Sequence, residues 1–179
     1  MITSTATSHI PSATKKTSGF THETSTGKTD EWFTPASILT SIGLRYSLDV
    51  CSPGAGETHV HADRHLTITD DGLTTPWHGT VWMNPPYSDV QPWMRKLADH
   101  GDGIALVFNR TDTVWFQEAF IEAAVVCFVA GRIKFINGIT GSASGTPGTG
   151  SALLAFGDTA AQALLQSGLG VCVRPVHTR

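Results

Sequence analysis

The chain has 179 residues, 40% of them hydrophobic, and a formal net charge of −3, which is typical of a single globular domain. No apolar run approaches the roughly 20 residues that span a bilayer, and the first residues lack the apolar segment of a signal peptide. We therefore expect a cytoplasmic protein without a membrane partner. The slight negative charge excludes a general attraction to polyanions, so nucleic acid must be bound by a local basic patch. Three widely spaced cysteines in apolar surroundings indicate buried free thiols: Cys51, Cys127 and Cys172.

The first residues and the rest of the chain differ in composition. Residues 1–28 are rich in Ser and Thr without apolar periodicity, which predicts a disordered tail before one domain at 29–179. Thr34, as N-cap before a proline, predicts the start of a helix, and Gly43 predicts its end. Residues 44–50 then predict a strand that ends in the turn-forming segment CSPGAG.

The middle of the chain alternates between strand and helix patterns. The segment TVWM predicts a strand, and an amphipathic helix follows the segment NPPYSD. Residues 103–108 are continuously apolar, as in a strand buried on both faces. A second helix is expected to begin with Asp112 as its N-cap. The segment VVCFVAG predicts another strand, which RIKFI is expected to continue.

The last part begins with a segment, residues 137–150, that is rich in Gly and has no charge, which predicts a flexible loop. A strand at 151–156, a short helix and a strand at 171–176 follow. Strands that alternate with helices predict an α/β fold, a mostly parallel sheet with helices on both faces. The last two strands are expected to form an antiparallel edge.

Three polar segments follow predicted strands: DVCSPGAG, NPPY and FNRTD. In an open α/β sheet, ligands bind beyond the carboxyl ends of the strands, near the point where the strand order reverses. We therefore expect these segments to line one cleft.

The segment NPPY has the groups that a planar amino group requires. Asn84 has a carbonyl acceptor and two N–H donors, and the carbonyl of Pro85 is a second acceptor. Pro86 stiffens the turn, and Tyr87 adds a flat aromatic face. Two acceptors favour a pyramidal nitrogen whose lone pair points toward an electrophile, so the turn favours alkylation of an aromatic amino group.

Eight segments, taken in order, resemble those of the phage-encoded DNA N-6-adenine methyltransferases of the Dam type: DEWFTP, LDV, ADR, DDGL, VWMNPPYS, GIALVFNRTDT, GRIKF and ALLAFG. The similarity extends over residues 30–157. It implies a Rossmann-like methyltransferase fold and methyl transfer from S-adenosylmethionine to the amino group of adenine in double-stranded DNA. It also implies a flipped-out target base, action in the host cytoplasm, no metal and no obligatory protein partner.

The resemblance assigns roles to the turn and to the N-terminal segment. Asn84 and the Pro85 carbonyl would hold the amino group, with Pro86 in the same turn and Tyr87 stacking on the base. The backbone of residues 33–35 and the hydroxyl of Thr34 would hold the methionine end of the cofactor; this segment consists of Phe33, Thr34 and Pro35.

The resemblance also implies five further positions in the cofactor site, three aspartates and two glycines. Asp49, with Gly54 and Gly56, would form the first cofactor motif and take the methionine ammonium. Asp71 would accept from the adenine amino group of the cofactor, and Asp63 would bind its ribose. Only about a dozen residues separate Asp49 from Asp63, so the usual first helix must be very short or missing.

Candidate DNA contacts are Arg110, at a strand end near the cleft, and the alternating pair Arg132 and Lys134. Solvent-facing charges and edge protection are equally compatible with that pair. The target-recognition element would lie between residues 131 and 151. Because it is short, we expect a site of about two to four base pairs, with ~1–3 kcal/mol lost per wrong pair.

Three alternatives remain open at the level of sequence. His59, His61, Asp63 and His65 approach the HxHxDH pattern of metal-dependent hydrolases, but Arg64 stands where the last His is required. The same turn also suits an RNA base or a protein glutamine amide. A non-enzymatic relative that binds a protein through the Gly-rich loop is the third.

Overall fold

The computed structural model describes residues 32–143 and 147–176. The predicted tail at 1–28 and part of the Gly-rich loop lie outside these described residues. Within them the chain forms the following elements in chain order: β1 (Trp32–Phe33), α1 (Ala36–Ile42), β2 (Tyr46–Asp49), β3 (Ala62–His65), β4 (Val81–Met83), α2 (Gln91–His100), β5 (Gly103–Phe108), α3 (Val114–Glu122), β6 (Val125–Val129), β7 (Ile136–Asn137), β8 (Ser151–Phe156), α4 (Asp158–Gln166) and β9 (Gly170–Val173).

A mixed sheet of seven strands in the order β3-β2-β4-β5-β8-β6-β9 forms the centre. Strands β2 to β6 run in one direction, whereas β8 and β9 run in the other. The mostly parallel α/β sheet is thus confirmed. The expected edge made by the last two strands is wrong, because β8 lies between β5 and β6. Every residue of β8 is buried, and such a strand needs a neighbour on each side.

Helices cover both faces of this sheet, as predicted. Helices α1 and α4 pack on one face, where Ile104 and Leu106 of β5 point. Helices α2 and α3 pack on the other face against Ala105 and Val107. Alternate residues of β5 therefore enter two different cores, which explains the continuous apolar sequence of this strand.

A second, two-stranded antiparallel sheet joins β1 to β7. The prediction that RIKFI continues strand β6 is wrong: β6 ends at Val129, and Gly131 turns the chain with a φ of 77°. The following residues belong to neither sheet; Ile133 and Phe135 are buried, whereas Arg132 and Lys134 are exposed. They connect the large sheet to the small one.

The helix ends differ from the predictions at two N-caps. Gly43 ends α1 in the left-handed conformation, as predicted, but the N-cap is Pro35 and Thr34 lies buried one residue earlier. Helix α3 is capped by Thr113 instead of Asp112, because the Thr113 N–H closes a turn onto the Arg110 carbonyl.

The cysteines are free thiols, as predicted; Cys127 is fully buried, and Cys51 and Cys172 are half-buried. Within the described residues, none of the helices has the length and apolar character that a bilayer crossing requires.

We expect Leu106→Ala to lower the free energy of unfolding by about 2–5 kcal/mol, because Leu106 has no exposed surface in the centre of the sheet. Val171→Ala, on the edge strand with a side chain 68% exposed, should change it by less than ~0.5 kcal/mol. Urea denaturation of both variants measures the difference. Equal effects would contradict the central position of β5.

Candidate active site

The strand order reverses at β2. The chain passes from β2 to β3 on one side and then returns to β4 on the other. Parallel strands β2 and β4 therefore open a crevice at their carboxyl ends, where open α/β sheets bind ligands. Asp49 lies opposite Trp82 in this pair, and Asn84 follows β4 directly. Two of the predicted site residues thus flank the same crevice.

Hydrogen bonds fix both ends of the Asn84 amide. Its Nδ2 donates to the carbonyl of Trp32 at 2.7 Å, and its Oδ1 accepts from the Tyr87 hydroxyl at 2.9 Å. The bond to a backbone carbonyl identifies Nδ2 as the donor, so Oδ1 is oriented within the turn. Sequence reasoning missed Trp32, which lies 52 residues earlier in the chain.

The prolines of the turn have different environments. Pro85 is buried and Pro86 is exposed. The Pro86 carbonyl accepts from the Asp89 amide at 3.3 Å. No group of the described residues donates to the Pro85 carbonyl. That carbonyl therefore keeps its capacity to accept a hydrogen bond from a ligand.

The ring of Tyr87 is held by two phenylalanines. It stacks on Phe108 with centroids 3.9 Å apart and planes 14° apart. Phe135 meets both rings edge-on at 6.3 Å. Burial raises the pKa of the Tyr87 hydroxyl, so this group remains a hydrogen-bond donor at any ordinary pH. One ring face is thus occupied, and an incoming base would have to use the other.

A cavity of about 280 Å³ lies beside this aromatic group. Tyr87, Phe108, Arg110 and Trp115 are among the residues that line it. Arg110 is exposed, with its Nε 3.6 Å from an Asp112 carboxylate oxygen. The structure thus brings this cation next to the NPPY turn.

Across the crevice Asp49 is 2% exposed. Burial raises the pKa of its carboxyl to about 6, whereas hydrogen bonds from Ser52 and the neighbouring His65 act in the opposite direction. The His65 Nδ1 lies 3.5 Å from the carboxylate and 3.1 Å from the Ser52 hydroxyl. A buried carboxylate of this kind favours a cationic partner. Sequence reasoning did not assign Ser52 or His65 to this site.

The loop after β2 contains both predicted glycines. Gly54 and Gly56 have φ values of 130° and 87°, and the Gly54 amide donates to the Ser52 hydroxyl. The chain reaches parallel strand β3 through turns alone. The expected shortening of the first helix is thus confirmed.

The N-terminal segment also reaches this region. Phe33 belongs to β1, Thr34 is 3% exposed, and Pro35 caps α1. The Thr34 hydroxyl is buried without a hydrogen-bond partner in the described residues. An unsatisfied buried hydroxyl costs about 1–3 kcal/mol, so this group is suited to accept or donate to a bound molecule.

Asp71 lies on a turn packed against the end of β2. It has a φ of 50°, and its Oδ1 accepts from the Leu73 amide at 3.1 Å. A side chain on Gly72 would lie 2.3 Å from the Val50 carbonyl and 2.9 Å from the Trp93 ring. Only glycine therefore permits this turn to lie so close to the end of β2.

The residues of the predicted HxHxDH-like cluster are separated from one another. Asp63 pairs with Arg45, the residue before β2, at the end of that strand opposite to Asp49. His65 faces Asp49, and Arg64 faces Asp70 at 3.4 Å. Within the described residues no three His, Cys, Asp or Glu side chains gather into a metal site, which does not favour the hydrolase interpretation.

The first part of the Gly-rich segment is hydrogen-bonded. Asn137 Oδ1 accepts from the amides of Ile139 and Thr140, and the Asn137 amide donates to the Ser142 carbonyl. An isolated bridge joins Ile136 to Ala143. This hairpin extends from β7, close to the exposed pair Arg132 and Lys134. These contacts lie within the segment that the sequence predicts to be a flexible loop.

Comparison with known proteins gives one consistent result. Residues 21–166 match the family described as DNA N-6-adenine-methyltransferase (Dam). The DNA N-6-adenine-methyltransferase of Haemophilus phage HP1 is 28% identical over 123 residues, which cover 63% of this chain and 69% of the phage protein. The enzyme of the same name from Escherichia phage T1 is 26% identical over 135 residues, covering 64% of this chain and 57% of the relative. No solved structure gives a significant match.

The family match spans most of the chain and includes both sides of the crevice. It implies DNA as the substrate and a methyl donor as the co-substrate. The chain belongs to the DNA N-6-adenine-methyltransferase (Dam) family, the adenine-specific DNA methyltransferases.

Proposed function

We propose that this protein has a Rossmann-like methyltransferase fold and transfers a methyl group from S-adenosylmethionine to the N6 amino group of a flipped-out adenine in double-stranded DNA. The observation that carries the proposal is the position of Asn84. Its oriented amide oxygen and the available Pro85 carbonyl follow β4, across the crevice from buried Asp49. Acceptors for an amino group and an acceptor for a cation thus flank the same crevice.

The two oxygens act on the nucleophile. An adenine amino nitrogen is a poor nucleophile because its lone pair is delocalised into the ring. The Asn84 Oδ1 has two lone pairs, of which Tyr87 uses one, and the Pro85 carbonyl adds a second acceptor. Two hydrogen bonds from the amino group to these oxygens favour a pyramidal nitrogen, with its lone pair directed across the crevice.

Tyr87 and the neighbouring cavity receive the base. Phe108 supports one face of the Tyr87 ring at 3.9 Å, so the adenine would stack on the opposite face. The target nitrogen is inaccessible inside a duplex, so the base must be flipped out at a cost of a few kcal/mol. A ring already held by Phe108 and Phe135 loses little freedom when the base arrives.

The described residues fit S-adenosylmethionine, which supplies an electrophilic methyl group on a sulfonium when bound. Asp49 offers a buried carboxylate to the methionine ammonium, and the unsatisfied Thr34 hydroxyl offers a polar contact at the methionine end. The loop with Gly54 and Gly56 allows the backbone to approach the cofactor. The exposed carboxylate of Asp71 suits the adenine amino group of the cofactor.

DNA binding would rely on a local positive surface, since the chain has a net charge of −3. Arg110 lies at the cavity beside the turn. Arg132 and Lys134 are exposed at the root of the hairpin. Contacts of these cations with phosphates would position the duplex, and the short hairpin would limit base readout to a few pairs.

We expect Asn84→Ala to reduce kcat for methyl transfer at least ~10³-fold, because the oriented amide oxygen is lost. The dissociation constant of S-adenosylmethionine should stay within about threefold, since the described cofactor residues lie outside the turn. Labelled methyl transfer to duplex DNA and calorimetry measure the two quantities.

Tyr87→Phe is the matched control, because it keeps the ring on Phe108 and removes only the hydroxyl that orients Asn84. We expect it to keep cofactor affinity and to lose about tenfold in kcat. If Asn84→Ala destroyed cofactor binding and activity together, the turn would be structural and the assignment of Asn84 would be wrong.

The buried carboxyl of Asp49 predicts two pH effects of opposite sign. Its pKa is about 6 in the folded chain and 3.8 ordinarily, so the folded state binds the proton more tightly. Its contribution to stability, about 3 kcal/mol, is present below pH 3.8 and is lost as the pH rises through about 6. Cofactor affinity should rise over the same upper range, because the ionised carboxylate binds the ammonium.

Asp49→Asn should therefore remove both effects. We expect a higher free energy of unfolding at pH 7 than in the wild type, and a weaker cofactor affinity that no longer rises near pH 6. Denaturation and calorimetry between pH 5 and 8 test this, with Asp99→Asn on exposed helix surface as the control. Identical pH profiles for wild type and Asp49→Asn would contradict the role of Asp49.

A further inference from the structure

The ammonium group of Lys96, in α2, is hydrogen-bonded to the backbone of one loop. Its Nζ donates to the carbonyls of Gly72, Leu73 and Thr75 at 2.9, 2.8 and 2.6 Å. An ammonium group has three N–H donors, so these three bonds satisfy it completely. The Trp77 ring lies below the same nitrogen, with its centroid 4.7 Å away.

This arrangement differs from that of an ordinary helix lysine, whose charged end remains in water. Burial lowers the pKa of Lys96, and the nearby Asp71 carboxylate acts in the opposite direction. Arg95, the preceding residue, is exposed and lies 3.5 Å from Glu118 across the surface. The two neighbouring cations of α2 thus have different partners: Lys96 binds backbone carbonyls of a loop, and Arg95 lies near an acidic side chain on the surface.

The loop that Lys96 binds is the turn of Asp71. The Asp71 carbonyl accepts from the amides of Thr74 and Thr75. The conformation of this turn therefore sets the direction of the Asp71 carboxylate. The Gly72 carbonyl receives a second bond from Trp77 Nε1 at 2.8 Å. Gly72 is in turn pressed between Val50 at the end of β2 and the Trp93 ring.

Trp93 and Lys96 are one helical turn apart on α2, so a single helix face holds the loop from two directions. Lys96 makes none of its hydrogen bonds with residues of the NPPY turn. We infer that Lys96 is a positioning residue, whose ammonium fixes the turn of residues 71–75 so that the Asp71 carboxylate meets the exocyclic amino group of the cofactor's adenine. This inference rests on the proposed function, in which Asp71 has that role.

The test measures the preference for the exocyclic amino group instead of affinity alone. The probes are 5′-methylthioadenosine and 5′-methylthioinosine, which differ in the group that Asp71 would bind. A site built to hydrogen-bond a ligand group discriminates strongly against an analogue without it. We expect the wild type to bind the adenosine at least ~10-fold more tightly in calorimetry.

Lys96→Met retains the aliphatic stem and removes the ammonium. We expect Lys96→Met to reduce the affinity ratio of the adenosine probe to the inosine probe to less than about threefold, and we expect the same of Asp71→Asn. In Lys96→Met, kcat at saturating S-adenosylmethionine should change less than about threefold. The double variant should lose no more preference than Asp71→Asn alone, because both residues act through one carboxylate. Arg95→Met, at the exposed neighbour, should leave the preference unchanged.

The inference is overturned by any of the following results. If Lys96→Met bound both probes more weakly by the same factor, or only lowered the stability of the fold, Lys96 would have a purely structural role. If that variant does not fold, Lys96→Arg replaces it, because a planar guanidinium cannot reproduce three bonds from one nitrogen; an unchanged preference there would also overturn it. Failure of the wild type to bind S-adenosylmethionine would instead overturn the proposed function, and the inference with it.

Discussion

The hydrogen bond from Asn84 Nδ2 to the Trp32 carbonyl determines how the NPPY turn is presented. It fixes which side of the amide carries the oxygen, and it links the end of β4 to the small sheet of β1 and β7. The hairpin begins at Asn137, which pairs with Trp32. Trp32 in turn binds Asn84, the residue that would hold the substrate amino group. Trp32 thus connects the NPPY turn directly to the small sheet from which the hairpin extends.

The opposite side of the crevice depends on burial of charge. Asp49 is buried at the end of β2, where the His65 Nδ1 lies 3.5 Å from its carboxylate, and its raised pKa means that the folded chain gives up stability there at neutral pH. A ligand ammonium recovers part of this cost. The unsatisfied Thr34 hydroxyl is a second polar group that the folded chain leaves without a partner. Both features favour the binding of a polar, cationic ligand at this end of β2.

Local patterns in the sequence predicted strands β2, β4 and β5, because a buried strand followed by polar residues is a short-range signal. They did not predict that Phe108 supports Tyr87, or that Lys96 binds a loop more than 20 residues earlier. Such contacts depend on which strands become neighbours, and helix periodicity alone assigns a lysine to solvent. The position of β8 between β5 and β6 was not predicted for the same reason. Its apolar sequence specifies that the strand is buried, but it does not specify which strands pair with it.

The central claim is that the turn at Asn84 presents an adenine amino group to the methyl donor. The amino group of cytosine has similar chemistry, so the identity of the methylated base is the most direct measurement. The full chain is incubated with S-adenosylmethionine carrying a labelled methyl group and with unmethylated duplex DNA, which is then digested to nucleosides. We predict that the label appears only in N6-methyl-2′-deoxyadenosine. Label in N4-methyl-2′-deoxycytidine would contradict this claim, and so would the absence of label from DNA when the protein binds the cofactor.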